Sequence, residues 1–353
     1  MLSLSNKCRM LVCGAALAVF LPAASQANAQ GLALAKYGSD FLSIGVGGRA
    51  LAMGSAYTSV ANDVTAGYWN PAGLSRMEFP EIALMHDQRY GDLVSYNYAA
   101  GAIPLTSDET VGVSIIVSSV SSIPNTQLAG VDANGNPIPP TNNFVGDLGR
   151  VDPTKVTFFG VTDVALIGSY ARRAGDNFSY GANVKFIRRS IGSTYGTGIG
   201  FDVGALYSPI KNLSLGANLQ NATTTVVAWT TGTTEVMTPT LATGASYLFN
   251  VGSFAASPAL DLLFNFDNMR SSTDAHLGFI SADVRAGAEV SYKNVIAVRA
   301  GFNEVKQFAV GAGIHLPKLL IDYSFARFSA TDALGDTHRI SLELVLENNK
   351  SEK

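Results

Sequence analysis

Most of the chain alternates apolar residues with small or polar ones, and this period of two restricts its fold more than any other feature. In the segment Asn212 to Gln220, one face carries only Leu213, Leu215, Ala217 and Leu219. A β-strand places successive side chains on opposite faces, so each such segment is a strand with one apolar and one polar side. We count about fourteen segments of this kind: 80–89, 93–103, 109–120, 161–172, 178–190, 197–208, 212–222, 239–249, 254–266, 281–292, 294–303, 306–316, 319–328 and 337–347.

Composition separates a membrane barrel from a soluble sheet. Only 14% of the residues are charged although 47% are hydrophobic, whereas a soluble domain carries about 25% charged residues. After the N-terminal region there is no apolar run of the roughly 18 residues that a membrane helix needs. A soluble β-sandwich also alternates, but its open sheets need charged or covered edges, which we do not find here. We therefore predict an all-β protein, a 14-stranded antiparallel transmembrane β-barrel, because closed bacterial barrels have even strand numbers.

The first 29 residues have the pattern of a secretory signal peptide. A charged start and an apolar run over 10–21 lead to a small-residue cleavage site, Ala27-Asn28-Ala29. Both cysteines of the chain, Cys8 and Cys13, fall within this segment. The exported protein is therefore expected to lack disulfides, a thiol nucleophile and cysteine metal ligands. Its predicted location is the outer membrane of a Gram-negative bacterium.

The links between the predicted strands differ in length. Short links such as 90–92, 209–211, 293–294 and 317–318 are predicted to be periplasmic turns, and the long links 121–160, 221–238 and 267–280 to be outer loops. We divide the chain into a cleaved signal peptide (1–29), an N-terminal hatch (30–79), the barrel (80–347) and a polar tail (348–353).

Charged residues on the polar face of the strands must avoid lipid, where a charge near the midplane of a barrel costs about 2–4 kcal/mol. We therefore expect the following to face the lumen: Lys185, Asp202, Asp261, Asp283, Arg285, Glu289, Arg299, Asp322, Glu343 and Glu347. Inward glycines would leave room for an inserted segment, as at Gly287, Gly301, Gly311 and Gly313. The charges could line a wide water-filled pore, but the favoured interpretation is a plugged lumen in which they are mostly structural.

The sequence shows no arrangement of reactive side chains that indicates an enzyme, a metal site or a cofactor. The four histidines do not stand at metal-ligand spacing. The acidic turn at 132–136 lacks the glycine and the distal glutamate of a calcium loop, and Gly45–Gly48 lacks the βαβ unit of a nucleotide site. A net charge of −3 gives no electrostatic support for nucleic-acid binding. We predict no catalytic residue, no metal and no cofactor.

The segment Gly48 to Leu74 is rich in glycine and alanine and ends in a compact turn signal, Trp69-Asn70-Pro71-Ala72-Gly73-Leu74. We predict a short helix over Arg49–Val60, and Asn62-Asp63 either ends it or caps a second turn. Proline disfavours a helical conformation at Asn70, so a turn begins there. In a barrel this segment can be buried only in the lumen, where it either moves as a gate or only seals the barrel.

These residues resemble the N-terminal signature of the PorV/PorQ family of outer-membrane proteins, which are similar in architecture to FadL, the long-chain fatty acid transporter. The matching pieces are Arg49-Ala50, Met53-Gly54, Ala56-Tyr57, Ala61-Asn62-Asp63, Ala66 and Tyr68 to Leu74, with 299–303, 311–313, 321–325 and 337–342 near the C-terminus. FadL-like barrels have fourteen strands and an N-terminal hatch with an Asn-Pro-Ala motif, matched here by Asn70-Pro71-Ala72. The hatch motif that the resemblance implies consists of Gly54, Asp63, Trp69, Asn70, Pro71, Ala72, Gly73 and Leu74.

The resemblance implies two functions, neither of them enzymatic. In the first, which the closer match to PorV/PorQ favours, the protein is an accessory of type IX protein secretion, with 121–160 and 221–238 as contacts for cargo. In the alternative, it takes up long-chain fatty acids or other hydrophobic small molecules as FadL does, with a shift of the hatch around Asn70 and a lateral exit at the third strand. The expected partners are outer-membrane lipid, secreted cargo or secretion components, and a hydrophobic small ligand, but no nucleic acid.

Overall fold

The computed structural model of the protein describes residues 34–35, 40–90, 93–132, 134–138, 150–266, 273–278, 280–327 and 336–347. All of them belong to one compact unit, Leu34–Lys353, and the preceding unit, Met1–Ala33, lies outside the described residues. The predicted signal peptide (1–29) and polar tail (348–353) therefore lie outside them as well.

Fourteen long strands run through the described residues. In chain order they are β1 (Glu81–Arg89), β2 (Val94–Pro104), β3 (Glu109–Asn125), β4 (Thr157–Arg173), β5 (Phe178–Ile191), β6 (Thr194–Tyr207), β7 (Leu213–Gln220 and Thr225–Trp229), β8 (Thr234–Met237, Thr240–Tyr247 and Phe249–Val251), β9 (Phe254–Asn265), β10 (Ile280–Tyr292), β11 (Ile296–Phe302), β12 (Phe308–His315), β13 (Leu319–Arg327) and β14 (Thr337–Val345). Short further strands are Leu34–Ala35, Gly130–Val131, Arg150–Val151 and Ala275–Leu277. Each of the fourteen predicted segments overlaps one long strand, so the predicted all-β, 14-stranded barrel is confirmed.

Each long strand pairs antiparallel with the one before and the one after it, and the sheet closes on itself. The closing pair joins β14 to β1 in a register that runs from Glu81 opposite Val345 to Gln88 opposite His338. Closure pairs the backbone groups of both terminal strands, so the sheet has no open edge. Among the described residues, no helix is both long enough and apolar enough to cross a membrane.

Strand β5 shows how the predicted alternation divides the wall. Phe178, Tyr180 and Phe186 face outward and are 40–53% exposed, whereas Asn183 and Lys185 face inward and are buried. A soluble protein would bury the apolar set instead. The outward apolar face with an inward polar face is the arrangement of a barrel surrounded by lipid.

Antiparallel order sorts the links between strands onto two ends of the barrel. The long links 126–156 and 266–279 follow odd-numbered strands and share one end, which we call the long-loop end. Links after even-numbered strands, such as 208–212 and 316–318, share the other, the short-turn end. Strand β1 ends with Arg89 and β2 begins with Val94, and both of these residues lie at the long-loop end. The prediction that groups the link 90–92 with the periplasmic turns is therefore wrong, because length alone does not identify the end of a barrel.

Half of the predicted outer loop 221–238 is strand, because Thr225–Trp229 and Thr234–Met237 make up nine of its eighteen residues. Thr225–Trp229 continues β7 and pairs with both β6 and the first part of β8, Thr234–Met237. Left-handed backbone at Asn221 (φ 52°) and Thr224 (φ 58°) interrupts β7 without ending it, and the alternation resumes beyond. The prediction of a loop here is wrong because a break in the pattern looks like the end of a strand.

The longest described part of the hatch, 40–79, crosses the lumen. Its helices are short: α1 (Asp40–Ser43), α2 (Gly48–Ala52), α3 (Ala66–Trp69) and the 3-10 helix Pro71–Arg76. Helix α2 packs on β11 to β14, and the 3-10 helix packs on β3 to β6, so the hatch joins opposite parts of the wall. The predicted helix over Arg49–Val60 is wrong beyond Ala52, because Gly54 and Ser55 have φ of 61° and 63°, values that a right-handed helix excludes.

Candidate functional site

Asn70 holds the turn at the centre of the hatch. Its buried Nδ2 donates to the carbonyl oxygens of Thr58 (2.9 Å) and Ala205 (3.1 Å). Its Oδ1 accepts from the N–H of Ala72 (3.2 Å) and so caps the 3-10 helix that Pro71 begins. One amide group therefore ties two parts of the hatch to β6.

Inward glycines give this turn its space. A Cβ on Gly204 would lie 2.8 Å from Cδ of Pro71, and one on Gly181 would lie 2.6 Å from the N of Ala72. A larger residue at either position would therefore displace the turn. Four glycines were expected to leave room for an inserted segment. Three of them lie against Met53 or Ala52 of the hatch: Gly287, Gly301 and Gly311. The fourth, Gly313, leaves room for side chains of the wall instead.

Lumen side chains pair with backbone groups that the irregular hatch leaves unpaired. Asp261 accepts from the N–H groups of two consecutive hatch residues, at 3.0 and 2.9 Å. Asn218 donates to the carbonyl of Trp69 (2.9 Å), and Asn183 donates to the carbonyl of Gly67 (2.8 Å). Buried backbone groups need hydrogen-bond partners. These polar side chains supply the hydrogen bonds that a β-sheet or water would otherwise provide.

Four charged residues link the hatch to the wall in alternating sign. Arg49 of α2 binds both oxygens of Glu289, at 2.9 and 3.0 Å. The same carboxylate accepts from Arg299 (2.5 Å), which also donates to Asp322 (2.5 Å). Burial alone would lower the pKa of the Arg49 guanidinium, but the charge of Glu289 raises it well above its usual value. The network is therefore fully charged and structural.

Two further ion pairs line the lumen beside α3. Lys185 binds Asp202 (2.7 Å) and donates to Asn221 (2.7 Å). Arg285 donates to both oxygens of Glu304, at 2.6 and 2.8 Å. Burial alone would raise the pKa of Glu304, but the adjacent Arg285 lowers it below its usual value. Each of these charges thus has its counter-charge within the protein.

The other predicted lumen charges have different surroundings. Asp283 lines the same cavity at the long-loop end as these two pairs, and the half-buried Glu343 lies beside Asp63 of the hatch. Glu347 is exposed beyond the end of β14. The expectation that Glu347 faces the lumen is wrong, because the strand stops before it.

Asp63 and Tyr57 form the polar centre of the hatch. Oδ1 of Asp63 accepts from the N–H of Thr65 (2.9 Å) before α3, which is one of its two expected roles. Its Oδ2 accepts from the hydroxyl of Tyr57 (2.5 Å) and from Arg49 (3.4 Å). Burial raises the pKa of Tyr57 well above its usual value, so the phenol remains a donor at neutral pH.

The remaining motif residues are packed inside the hatch. Nε1 of Trp69 donates to the carbonyl of Val46 (2.9 Å), and its ring lies edge-on to Tyr68 with centroids 4.9 Å apart. A Cβ on Gly73 would stand 2.5 Å from a hatch carbonyl, and Gly54 lies against the backbone of β11. The last two motif residues, Ala72 and Leu74, are apolar and buried.

Two cavities open onto the hatch at the long-loop end. The first, the Trp69 cavity, has a volume of about 360 Å³ and is lined by residues that include Leu42, Trp69, Ile167, Leu263, Lys185, Asp202 and Arg285. The second, the Arg89 cavity, has a volume of about 410 Å³ and is lined by residues that include Phe41, Ile44, Leu51, Val94, Arg89, Arg339 and Gln307. A third space of about 480 Å³ lies at the short-turn end, beside Arg76 and Asn212. The hatch stands between the cavities of the two ends.

Sequence reasoning missed two charges that line the Arg89 cavity, Arg89 and Arg339, and the neighbouring Asp87. All three are buried on the inner face, and Asp87 lies directly opposite Arg339 in the closing register. The alternation in β1 and β14 is the signal that could have found them, since they share a face with the inward residues of each strand.

Within the part of the chain that the structure describes, no group of three or more histidine, aspartate or glutamate side chains is placed to hold a metal ion. In the acidic turn at 132–136, the carboxylate of Asp132 binds backbone groups of the turn itself. Asp132 accepts from the N–H groups of Asn134 (2.8 Å) and Asn136 (2.9 Å), so its carboxylate stabilises a surface turn.

No protein-family model and no curated protein matches the chain, but solved structures do. The toluene transporter TbuX of Ralstonia pickettii superposes with a TM-score of 0.55 at 13% identity, covering 86% of this chain and 99% of that one. The toluene transporter TodX of Pseudomonas putida gives the same TM-score, identity and coverage. A FadL homologue of Pseudomonas aeruginosa covers 82% of this chain and 95% of its own, at 13% identity and a TM-score of 0.47.

At 13% identity these likenesses concern the fold alone. None of the three neighbours is described as a PorV or PorQ protein, so that finer part of the resemblance stays a prediction. The chain has the barrel fold of the two toluene transporters, and its fourteen strands close around its own N-terminal segment.

Proposed function

We propose that this protein is a non-enzymatic outer-membrane channel for the uptake of hydrophobic small molecules. The observation that carries the proposal is the sealed lumen with a partly apolar cavity on the long-loop side of the seal. A water-filled pore for polar solutes has no need of a folded segment across it. A path for selected apolar molecules needs both a seal and an apolar surface on which they can bind.

The charges around the Trp69 cavity favour an apolar ligand. Lys185 is paired with Asp202, and Arg285 is paired with Glu304, at distances of 2.6 to 2.8 Å. Asp283 also lines this cavity, and its carboxylate accepts from Nδ2 of Asn265 (3.3 Å) and from the N–H of Asp274 (3.1 Å). An apolar molecule beside Leu42 and the other apolar lining residues would therefore leave each of these charged groups with a partner. Burying an unpaired charge would oppose binding strongly.

The resemblance implies two functions, uptake and protein secretion, and the structural neighbours also favour uptake. TbuX and TodX are described as toluene transporters, a role that corresponds to the uptake alternative. The secretion accessory role gains no such support, and half of one of its two expected cargo loops, 221–238, is strand. In our proposal the outward apolar face contacts outer-membrane lipid, and the ligand enters at the long-loop end.

Uptake by cells of the native host tests the proposal. A deletion strain and the same strain carrying the gene are compared for the uptake of radiolabelled toluene and radiolabelled oleate, and for the proteins that they secrete. We expect slower uptake of at least one compound after deletion, recovery on complementation and an unchanged set of secreted proteins. Unchanged uptake of both compounds together with a loss of secreted proteins would replace this proposal with the secretion role.

A further inference from the structure

The space at the short-turn end, which we call the Arg76 cavity, differs in chemistry from the two cavities at the long-loop end. It has a volume of about 480 Å³, and ten of its seventeen lining residues are serine or asparagine. Only four are apolar, among them Val60 and Leu248. Hydroxyl and amide groups both donate and accept hydrogen bonds. The lining therefore matches a ligand with many polar groups and offers little surface to a hydrocarbon.

Arg76, at the end of the 3-10 helix of the hatch, gives this cavity a positive charge that has no counter-charge. Its Nη1 donates to the carbonyl of Ser59 (3.1 Å), and its Nη2 donates to Oγ of Ser214 (2.6 Å). Both acceptors are neutral, and among the described residues no carboxylate pairs with this half-buried guanidinium. An arginine does not lose its proton in a protein, so the charge persists.

A second arginine adds to the positive charge beside the 3-10 helix. Nη2 of Arg173, at the short-turn end of β4, donates to the carbonyl of Ser75, the residue before Arg76 (2.8 Å). Burial lowers the pKa of the Arg76 guanidinium, and the charge of Arg173 lowers it further. A neighbouring anion would act in the opposite sense on this pKa. An anion bound at Arg76 would therefore be attracted by both arginines.

The one carboxylate in the described lining of this cavity is already engaged. Glu289 accepts from Arg49 at 2.9 and 3.0 Å and from Arg299 at 2.5 Å. With Arg49 and Arg76, the lining thus carries one net positive charge. In the described structure the buried hydroxyl of Ser59, another lining residue, also has no hydrogen-bond partner. The cavity therefore combines an unpaired charge with polar groups that are not fully satisfied.

We propose that the Arg76 cavity binds a small polyhydroxylated carboxylate, a sugar acid. The carboxylate would accept from the Arg76 guanidinium, and the hydroxyl groups would form hydrogen bonds with the serine and asparagine side chains of the lining. A volume of about 480 Å³ lies within the range of roughly 300–1,000 Å³ that is usual for small-molecule sites. The site lies on the opposite side of the hatch from the Trp69 cavity, so it does not depend on the proposed uptake function.

Three probes separate the charge of the ligand from its hydroxyl groups. Binding of glucuronate, glucose and butyrate to the full-length protein is measured by calorimetry at pH 7.5, where both acids are ionised, in a detergent that has no sugar headgroup. We expect glucuronate to bind most tightly, because it alone combines a carboxylate with several hydroxyl groups. Glucose or butyrate binding as tightly as glucuronate would overturn the proposal, and so would the absence of measurable glucuronate binding.

Two substitutions in the lining test the two halves of the site. In Arg76→Gln, glucuronate should bind about ten- to a hundred-fold more weakly, the range that corresponds to one hydrogen bond to a charged group. In Ser291→Ala, at a half-buried position on the inner face of β10, glucuronate should bind about two- to ten-fold more weakly, with butyrate unchanged. Arg172→Gln, on the outward face of β4, serves as the control and should change neither affinity.

The hatch keeps other contacts in these variants. Without Arg76, Ser214 still donates to the carbonyl of Ser59 (2.9 Å) and Arg173 still donates to the carbonyl of Ser75 (2.8 Å). We therefore expect Arg76→Gln to melt within a few degrees of the wild type. Unchanged affinity for glucuronate in this variant overturns the site. If the variant does not fold, Ser291→Ala decides, and unchanged affinity there overturns the site.

Discussion

Asn70 illustrates what single polar residues do inside this barrel. Its side chain makes three hydrogen bonds with backbone groups of the hatch and of β6. Asn218 and Asp261 do the same for other parts of the hatch. A segment with little regular secondary structure can be buried in a lumen only if such groups find partners, because each unpaired buried group costs about 1–3 kcal/mol.

Replacing Asn70 tests this at the scale of one residue. Asn70→Ala removes all three hydrogen bonds, and we expect unfolding in urea and detergent to become easier by about 1–3 kcal/mol. Asn70→Ser keeps an oxygen that can cap the 3-10 helix and should recover roughly 1 kcal/mol of that loss. Glu78→Ala, at an exposed position of the hatch, serves as the control. Equal stability of Asn70→Ala and the wild type would contradict the role of this amide.

At the scale of elements, the hatch is attached to the wall on two sides. Helix α2 is bound through Arg49 and Glu289, and the 3-10 helix packs on β3 to β6. Helix α3 lies between them and forms one wall of the Trp69 cavity. Any path from this cavity to the short-turn end therefore requires the hatch to move.

A disulfide between α3 and β4 would prevent this movement. An ideal Cβ at Gly67 lies 3.7 Å from Cβ of Ser169, within the usual disulfide range of about 3.5–4.5 Å. The chain has only two native cysteines, Cys8 and Cys13, both in the predicted signal peptide. We expect the oxidised double variant Gly67→Cys/Ser169→Cys to lose uptake and a reductant to restore it, with each single variant as a control. Normal uptake by the fully oxidised variant would show that the ligand passes without movement of α3.

The ion pair between Arg285 and Glu304 predicts a dependence of stability on pH. Arg285 lowers the pKa of Glu304 below its usual value despite burial. The carboxylate therefore stabilises the folded barrel fully above the ordinary glutamate pKa of about 4.3, and this contribution disappears as the pH falls through the lower folded value.

Melting of Glu304→Gln and of the wild type in detergent checks this dependence. We expect the wild type to melt higher between about pH 5 and pH 7, with the difference shrinking below about pH 4. Glu78→Gln, at an exposed position of the hatch, should show no comparable difference. A constant difference at all pH values would mean that the charge of Glu304 is not responsible.

At the scale of the whole molecule, the barrel has its apolar surface outside and its polar groups inside. Phe201 and Tyr207 lie on the outward face of β6 and are 41% and 47% exposed, whereas Asp202 between them is buried in the lumen. The same alternation therefore provides both the lipid contact and the partners of the hatch. It follows that the two faces of one strand should respond differently to the same substitution.

A lysine on the lipid face tests this arrangement. Phe201→Lys, near the middle of β6, should destabilise the barrel in lipid vesicles by about 2–4 kcal/mol, and Tyr207→Lys, at the end of the strand, by about 0–1 kcal/mol. Urea unfolding followed by tryptophan fluorescence measures both. Equal effects of the two variants would contradict a membrane that covers this face.

Much of the architecture could be predicted, but little of the site. The strands were recognised because alternation is a local pattern, and β5 and β6 follow it throughout. The predicted helix over Arg49–Val60 was wrong, because the backbone at Gly54 and Ser55 is set by close contact with the wall. The alternation in β1 and β14 could have placed Arg89 and Arg339 on the inner face, but it gives no indication that they meet at Asp87.

The sequence by itself determined the wall: fourteen strands, an apolar outside, a polar inside and an N-terminal segment with no other place to be buried. These properties depend on the order of neighbouring residues, and a closed barrel is the structure that satisfies them. Only the tertiary structure decided which lumen groups meet, because those pairs are distant in the chain. Arg339 and Asp87 are 252 residues apart, and Arg49 and Glu289 are 240 apart. Such contacts follow from closure of the sheet and from the path of the hatch, and they give the cavities their charge.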